Sequence, residues 1–410
     1  MNRIVLIGNG FDLAHGLKTR YEDFVNWYWR QRVIGFFNEY SNTSIDPLCT
    51  FIVKHPGANW NGFFNRFLGS DKEQSLTKMW NIINDDKNLY EIKKSIFFEN
   101  ICKSIETKKW VDIENEYYRL LVEYSIKEKS DEKIKELNKQ LHFLQDKLIE
   151  FLKEIDKPTT KIITNILDEI YAPIEIQDIS IKKQDILNKV IDAWLFKDES
   201  LWRNKKDNYK HYDIEFFYNC AKEFIEKYKK TNTRPPICSS FFRLPDNIIL
   251  LSFNYTKTAQ LYITSFSCSY NYIHGELNIP KSIIFGYGDE LDKNYKDLQE
   301  YNNNECLCNV KSIKYLEADN YRKILELIES DAFQIYIMGH SCGNSDRTLL
   351  NTLFEHENCI SIKPYYYQKD DGTDNYTELI QNISRNFTDM KLMRDRVVNK
   401  IYCKPLPQNK

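Results

Sequence analysis

Long apolar runs are missing from this chain of 410 residues. A membrane-spanning helix needs about twenty consecutive apolar residues, and no run in the sequence comes near that length. The apolar run Ile4–Ile7 is also too short for the core of a secretory signal peptide. We therefore expect a cytoplasmic protein that has no membrane partner.

An excess of charge of either sign is also missing, because the formal net charge is −2. Nucleic-acid-binding domains carry a strong positive footprint, so we do not expect nucleic acid as a partner. The ten cysteines are scattered, and the close pair Cys306 and Cys308 has no second pair or nearby histidine to complete a zinc site. We expect buried free thiols and no metal.

Glycine is scarce, with 13 in the whole chain, yet two of them stand together near the start. The run Ile4–Ile7 leads into Gly8-Asn9-Gly10, which is the form of a buried strand that turns directly into a helix. Glycines let the backbone approach a ligand closely, and a helix N-terminus offers free N–H groups to phosphates. This pattern indicates a nucleotide or dinucleotide ligand.

The dinucleotide fingerprint is incomplete, because Leu13 stands where its third glycine would be. Asp12 would place a negative charge close to a bound phosphate. We therefore expect its carboxylate to bond a ribose hydroxyl or to cap the helix. A strand-to-helix connection without any ligand stays open as the alternative.

Short apolar runs typical of strands occur at the start and then only after residue 245: Ile4–Ile7, Ile248–Phe253, Tyr270–Ile273, Ile283–Phe285, Ile335–Met338 and Ile360–Ile362. Helical patterns at Tyr321–Glu329 and Ser345–His356 alternate with the later runs, and Asn344 or Ser345 would cap the second helix. The alternation predicts an α/β, Rossmann-like fold with a mostly parallel sheet. Residues 294–310, rich in Asn and Asp, are interpreted as a mobile surface loop.

Residues 21–240 have a different character, with aromatic, Lys, Glu and Leu residues at helical spacing. They predict a large α-helical insertion between the two parts of the α/β core, residues 1–20 and 241–410. The clearest pattern runs from Ile134 to Ile155, with apolar residues three and four positions apart. We interpret it as a long helix that packs within its own domain and ends at Lys157-Pro158. A self-association helix is the alternative.

Polar residues follow four of the predicted strands at their carboxyl ends. Because these ends share one edge of a parallel sheet, we expect the residues to meet in a single ligand site. They are Gly8, Asn9, Gly10 and Asp12; Ser252 and Asn254; His274 and Gly275; and Gly339, His340 and Ser341, with Asp346 at the start of the next helix. His15 and His340 are further candidates for acid–base work or phosphate contact.

The sequence from Gly339 to Gly343 also fits the G-x-S-x-G pattern of a serine hydrolase nucleophile, Ser341. That mechanism needs a later histidine on a loop beyond further strands. The histidine that follows is His356, only fifteen residues on, at the end of the predicted helix. We therefore expect Ser341 to line a pocket, and we keep hydrolysis by Ser341 as a minor hypothesis.

The opening motif resembles the signature of the AbiH family of bacterial abortive-infection proteins; it comprises Gly8-Asn9-Gly10-Phe11-Asp12-Leu13-Ala14-His15-Gly16-Leu17, Thr19 and Tyr21. Further stretches that resemble the family are Ser252-Phe253-Asn254-Tyr255-Thr256, Ile273-His274-Gly275, Gly339-His340-Ser341 and Trp110-Val111-Asp112-Ile113-Glu114. The resemblance implies an antiviral role and a core similar to SIR2 enzymes.

The similarity to SIR2 enzymes implies a role for individual residues. Gly8 and Gly10, with Asn9 and Phe11 between and beside them, match the turn that holds NAD. Asn254 matches an asparagine near the nicotinamide ribose, and His274 matches a histidine that contacts the ribose and acts as general base. Thr256 stands where those enzymes usually have an aspartate, and their zinc module is absent, so deacetylation is not expected.

Two functions follow from these expectations. In the first, the protein binds NAD and hydrolyses its nicotinamide–ribose bond, with Asn254 placing water or polarising the ribose, His274 as base and Asp12 stabilising the developing positive charge. In the second, the same pocket only senses a nucleotide and switches the helical insertion. Either function could respond to a phage-derived trigger.

Overall fold

The computed structural model describes residues 1–38, 43–54, 90–108, 112–156, 160–180, 183–185 and 244–409. The strands of this part are β1 (Asn2–Ile7), β2 (Thr43–Ile45), β3 (Cys49–Val53), β4 (Tyr90–Lys94), β5 (Ile248–Ser252), β6 (Cys268–Tyr272), β7 (Phe333–Met338) and β8 (Cys359–Tyr365). The helices before β5 are α1 (Asn9–Ala14), α2 (Tyr21–Asn38), α3 (Ile96–Lys108), α4 (Ile113–Val122), α5 (Asp131–Ile155) and α6 (Thr164–Tyr171). Those after it are α7 (Lys293–Glu300), α8 (Lys311–Lys314), α9 (Asn320–Ser330), α10 (Arg347–Glu355), α11 (Tyr376–Arg385) and α12 (Met390–Arg396).

The main sheet has five parallel strands in the order β6-β5-β1-β7-β8. All residues of β1, β5, β7 and β8 are buried, which is what a parallel sheet covered by helices on both faces requires. From β1 the chain adds β5 and then β6 on one side, and it then returns to add β7 and β8 on the other side of β1. The point where the order reverses lies between β1 and β7, and ligands of such sheets bind there. The predicted α/β, Rossmann-like class is confirmed.

A second region follows α1, and residues from Leu277 to Cys306 of the later chain share its apolar core. It contains α2, α3, α4 and α5 together with the antiparallel sheet β2-β3-β4, which the helical spacing of the sequence did not predict. The apolar side of α5 is buried in this core, as the first interpretation expected. A self-association role for α5 stays untested, and Lys157-Pro158 lies outside the described residues.

Helix α6 packs on the main sheet even though it lies within the predicted insertion. Its residues Ile166, Ile170 and Tyr171 share a core with Val5 and Leu250 of the central strands. Residues 186–243 lie outside the described part of the chain. The domain boundaries at residues 20 and 240 therefore stay predictions. No helix among the described residues is long and apolar enough to cross a membrane.

Three local predictions were wrong. Ile283–Phe285 is buried but forms no strand, because only single bonds such as Ile284 N–H to His274 O (2.8 Å) connect it to its surroundings. The expected loop 294–310 contains most of α7, whose Leu298 is fully buried. The predicted helix before β8 is confirmed as α10, but its N-cap is Asp346, and the expected caps lie in a preceding 3-10 turn. The eight described cysteines are free, and all but one are buried, as expected.

Glycines allow two chain segments to cross at the β1/β7 switch point. A Cβ atom on Gly8 would lie 2.5 Å from the Cα of His340, and one on Gly10 would lie 2.9 Å from Gly339. Gly339 has φ +79°, and its Cβ would lie 2.1 Å from the backbone nitrogen of Phe11. The turns after β1 and β7 are therefore pressed together, backbone against backbone.

We expect Gly339→Ala to lower the free energy of unfolding in urea, because it adds a backbone clash to a left-handed conformation. Gly372 is the matched control, since it has φ +82° with nothing within 4 Å of its Cβ position. Gly372→Ala should lose only the conformational term of roughly 1–2 kcal/mol. Gly339→Ala should lose about 1–3 kcal/mol more than the control. Equal losses in the two variants would show that the crossing is not tightly packed.

Candidate functional site

A cavity of about 580 Å³ opens at the carboxyl ends of the central strands and extends to the second region. This volume is within the usual range of ligand pockets. The structure brings ten of the predicted site residues together on its walls: Gly8, Asn9, Gly10, Asp12, Asn254, His274, Gly339, His340, Ser341 and Asp346. They come from the loops after β1, β5, β6 and β7, as the parallel topology requires.

The other three predicted residues lie behind the cavity wall. Phe11 is fully buried and its ring packs on His15 and Tyr262. The hydroxyl of Ser252 bonds the backbone of Asn254 at 3.2 Å. Gly275 has φ +87° and leaves no space for a Cβ beside Ser282. These residues support the wall and are not part of it.

The expected phosphate site at the start of α1 is largely occupied by the protein itself. The N–H of Gly10 donates to Gly339 O and the N–H of Phe11 donates to Gly8 O, both at 2.8 Å. These two groups are therefore not free for a phosphate. The glycines of this turn are explained by the chain crossing, which the sequence pattern alone could not distinguish from a phosphate cradle.

Asp12 is a buried carboxyl group with one free oxygen. Its side chain is 1% exposed, and Oδ2 accepts a hydrogen bond from Thr256 Oγ1 at 2.7 Å. Oδ1 accepts no hydrogen bond from the described residues. Desolvation by burial raises the pKa of Asp12 to about 6. Thr256 therefore orients the carboxyl group of Asp12.

Asn254 is held at the mouth of the first turn. Its Nδ2 donates to Gly8 O at 2.9 Å, so the loop after β5 is tied to the loop after β1. The side chain is half-buried and lines the cavity. Asn254 therefore presents a fixed amide to any ligand there.

His274 and Asp346 form an oriented pair. Nε2 of His274 lies 3.2 Å from Asp346 Oδ1 and 3.2 Å from the hydroxyl of Tyr315. Because the pKa of Asp346 is held well below its usual value by Lys311 and His274, its carboxylate is an acceptor and Nε2 carries the proton. Nδ1 is then the free lone pair, and it bonds none of the described residues. Burial lowers the pKa of His274, so this nitrogen is a base at neutral pH.

The two spare histidines have no free nitrogen. Nδ1 of His340 accepts from the backbone N–H of Cys342 at 3.0 Å, and its Nε2 lies 3.5 Å from Asp346 Oδ2. His15 uses both ring nitrogens at 2.7 Å, on Phe11 O and on the Tyr262 hydroxyl, and it does not line the cavity. Of these three histidines, His274 alone can take a proton from a ligand or water.

Sequence reasoning missed two charged residues that form an ion cluster with Asp346. Lys311, on α8, is 1% exposed and its Nζ lies 2.8 Å from Glu114 Oε2 and 2.7 Å from Asp346 Oδ1. Glu114, on α4, also accepts the N–H of Gly286 at 3.1 Å. The two carboxylates raise the pKa of Lys311, and burial raises that of Glu114. Only the family-like stretch around Glu114 gave a signal, of which Trp110 and Val111 lie outside the described residues.

Ser341 lacks the partners of a hydrolase nucleophile. It is exposed, and the bond that involves it joins its carbonyl oxygen to Asn382 Nδ2 at 2.9 Å. Left-handed backbone in this turn falls on Gly339, at φ +79°, and on Cys342, at φ 54°, and not on the serine. No hydrogen bond in the described part of the chain joins its hydroxyl to a histidine, so the arrangement does not support a catalytic Ser341.

The charge on the cavity wall is unequally distributed. Six carboxylate side chains line it: Asp12, Glu22, Asp112, Glu114, Asp346 and Glu378. Arg20 is the one Lys or Arg among the described residues of this wall, and it is exposed. The described residues contain no group of three His, Cys, Asp or Glu placed to hold a metal ion. Acidic side chains therefore outnumber basic ones on this wall, and buried Lys311, which does not line the cavity, compensates the charges of Glu114 and Asp346.

The raised pKa of Asp12 predicts a pH-dependent stability. A carboxyl group with a raised folded-state pKa stabilises the protein when protonated, and this contribution is lost as the pH rises from about 4 through 6. Between pH 4.5 and pH 7, Asp12→Asn should abolish a loss of about 2 kcal/mol that the wild type shows in urea unfolding. The exposed Asp168→Asn serves as control and should leave this pH dependence unchanged. If Asp12→Asn also left the pH dependence of stability unchanged, burial would not raise the pKa of Asp12.

The comparisons with known proteins agree with the resemblance in the sequence. A family model described as bacteriophage abortive infection AbiH matches residues 4–195 and 204–367. No curated protein and no solved structure matches the chain. The matched segments cover most of the sequence, including the loops that build the cavity. The chain therefore belongs to the AbiH family of bacteriophage abortive infection proteins.

Proposed function

We propose that this protein is an enzyme of abortive infection that hydrolyses the N-glycosidic bond of a nucleotide, with NAD as the first substrate to test. The observation that carries the proposal is the buried carboxyl group of Asp12, which lines the same cavity as the oriented base His274. The family membership supports the antiviral role. Loss of NAD would starve an infected cell before the phage completes its cycle.

The proposed reaction uses the two groups in different ways. The bond between the ribose C1′ and the nicotinamide nitrogen breaks, and its electron pair neutralises the positive nicotinamide ring. The Asp12 carboxylate stabilises the positive charge that develops on the ribose. Water attacks C1′ and gives a proton to Nδ1 of His274, so that the products are nicotinamide, ADP-ribose and a proton. Asn254 positions the water or the ribose.

The charges on the wall suit the two ends of this substrate. The carboxylates favour the cationic nicotinamide ring and oppose a phosphate close to it. The pyrophosphate would then lie near Arg20, which supplies positive charge on this wall and whose guanidinium can bind phosphate oxygens in pairs. No metal enters the proposed reaction. The proposal also includes a phage-derived trigger and self-association through the helical insertion.

Purified protein incubated with NAD should release nicotinamide and ADP-ribose, detected by chromatography. His274→Ala should lower kcat by roughly 10²–10⁴-fold, because the base is removed. His356→Ala, distant from the cavity, should retain wild-type turnover. The wild-type rate should fall below pH 6 as Asp12 becomes protonated. Tight NAD binding without products would instead support the nucleotide-sensing alternative, and neither binding nor products would reject NAD.

Arg20→Ala should raise the KM for NAD and leave kcat nearly unchanged, since the side chain would contact phosphate and not the reacting bond. Loss of one charge-assisted contact of about 1.5–3 kcal/mol corresponds to a roughly 10- to 100-fold increase. Nicotinamide riboside, which has no phosphate, should be cleaved equally well by both proteins. Lys18→Ala is the control, because Lys18 is an exposed neighbour outside the cavity wall. An equal effect on both substrates would contradict the phosphate contact.

A further inference from the structure

Three segments far apart in the sequence meet at one buried ion cluster. Glu114 comes from α4, Lys311 from α8 and Asp346 from the turn that precedes α10. Lys311 lies between the two carboxylates, within 2.8 Å of each, and is almost completely buried. A cation in this position is stable only while both of its carboxylates stay in place.

Asp346 is the only member of this cluster that touches the catalytic histidine in the arrangement described above. Its Oδ1 receives both Lys311 Nζ and His274 Nε2, and its Oδ2 faces His340. The carboxylate is therefore fixed on both oxygens. Displacement of Lys311 would leave the Asp346 carboxylate free to rotate, and His274 would then lose the fixed acceptor that selects its tautomer.

We propose that Lys311 and Glu114 are positioning residues, which hold Asp346 so that His274 keeps its proton on Nε2 and its lone pair on Nδ1. Neither residue needs to touch the reacting bond. Since Glu114 belongs to the second region and His274 to the main sheet, the base is correctly set only while α4 is docked on the core. This inference deepens the proposed function and rests on it for the catalytic meaning of His274.

The charges around His274 define the expected direction of each substitution. The groups that face it or its partners are Lys311, Asp346, Glu114, Asp112, His340, Tyr315 and Tyr255. Lys311 lowers the pKa of His274 by repulsion, whereas Asp346 and Glu114 raise it by attraction. Removing the cation should therefore raise this pKa, and removing the Glu114 charge should not.

The test is an NMR titration of the His274 imidazole in the full chain, with no substrate present. In Lys311→Met the pKa of His274 should rise by about one unit or more relative to the wild type. In Glu114→Gln, which keeps the shape of the side chain, it should stay the same or fall. Lys314→Met, on the same short helix but outside the cluster, should match the wild type.

A rise of the His274 pKa in Lys311→Met without a rise in Glu114→Gln supports the positioning role. Loosened packing alone would move the pKa toward the ordinary value of 6.5 in both variants. A rise in both variants, or no change in Lys311→Met, would overturn the proposal. If Lys311→Met does not fold, a rise in Glu114→Gln overturns it alone. The titration needs no turnover, so it tests the positioning role even if the protein does not hydrolyse NAD.

Discussion

A carboxylate buried in protein needs opposite charge and hydrogen-bond donors, and Asp346 finds them on side chains that the sequence separates widely. Lys311 approaches it to 2.7 Å and His274 to 3.2 Å, while His340 faces its second oxygen. Breaking such a buried arrangement by removing one partner is costly, because the charge that remains has no compensation. The same contacts that stabilise the cluster also decide which nitrogen of His274 is free.

The place of this cluster follows from the backbone. In the strand order β6-β5-β1-β7-β8 the turns after β1 and β7 meet, and glycines at Gly8, Gly10 and Gly339 let them cross in contact. That crossing lines the cavity and uses the N–H groups that a dinucleotide-binding turn would offer to phosphate. Burial then raises the pKa of Asp12, and Arg20 supplies positive charge on the cavity wall. In a usual dinucleotide turn the backbone N–H groups attract negative charge, whereas here the positive charge on the cavity wall comes from Arg20.

The sequence predicted the sheet because parallel strands buried on both faces are continuous apolar runs, and such runs are visible without any contacts. It also predicted that Asp12, Asn254 and His274 lie together on one cavity, because polar residues at the ends of parallel strands converge by topology. It could not predict Lys311, which resembles any surface lysine until α4 and Asp346 enclose it. The strand predicted at Ile283–Phe285 was wrong for a related reason. The segment is apolar because it is buried, and none of the described strands pairs with it.

The tautomer of His274 in the unmodified protein tests the central claim most directly. Nitrogen NMR of the imidazole ring at neutral pH distinguishes a protonated from an unprotonated ring nitrogen. The arrangement around Asp346 predicts a neutral ring with the proton on Nε2 and a lone pair on Nδ1. A proton on Nδ1, or a ring charged at neutral pH, would contradict the role of His274 as the base and of Asp346 as its orienting partner.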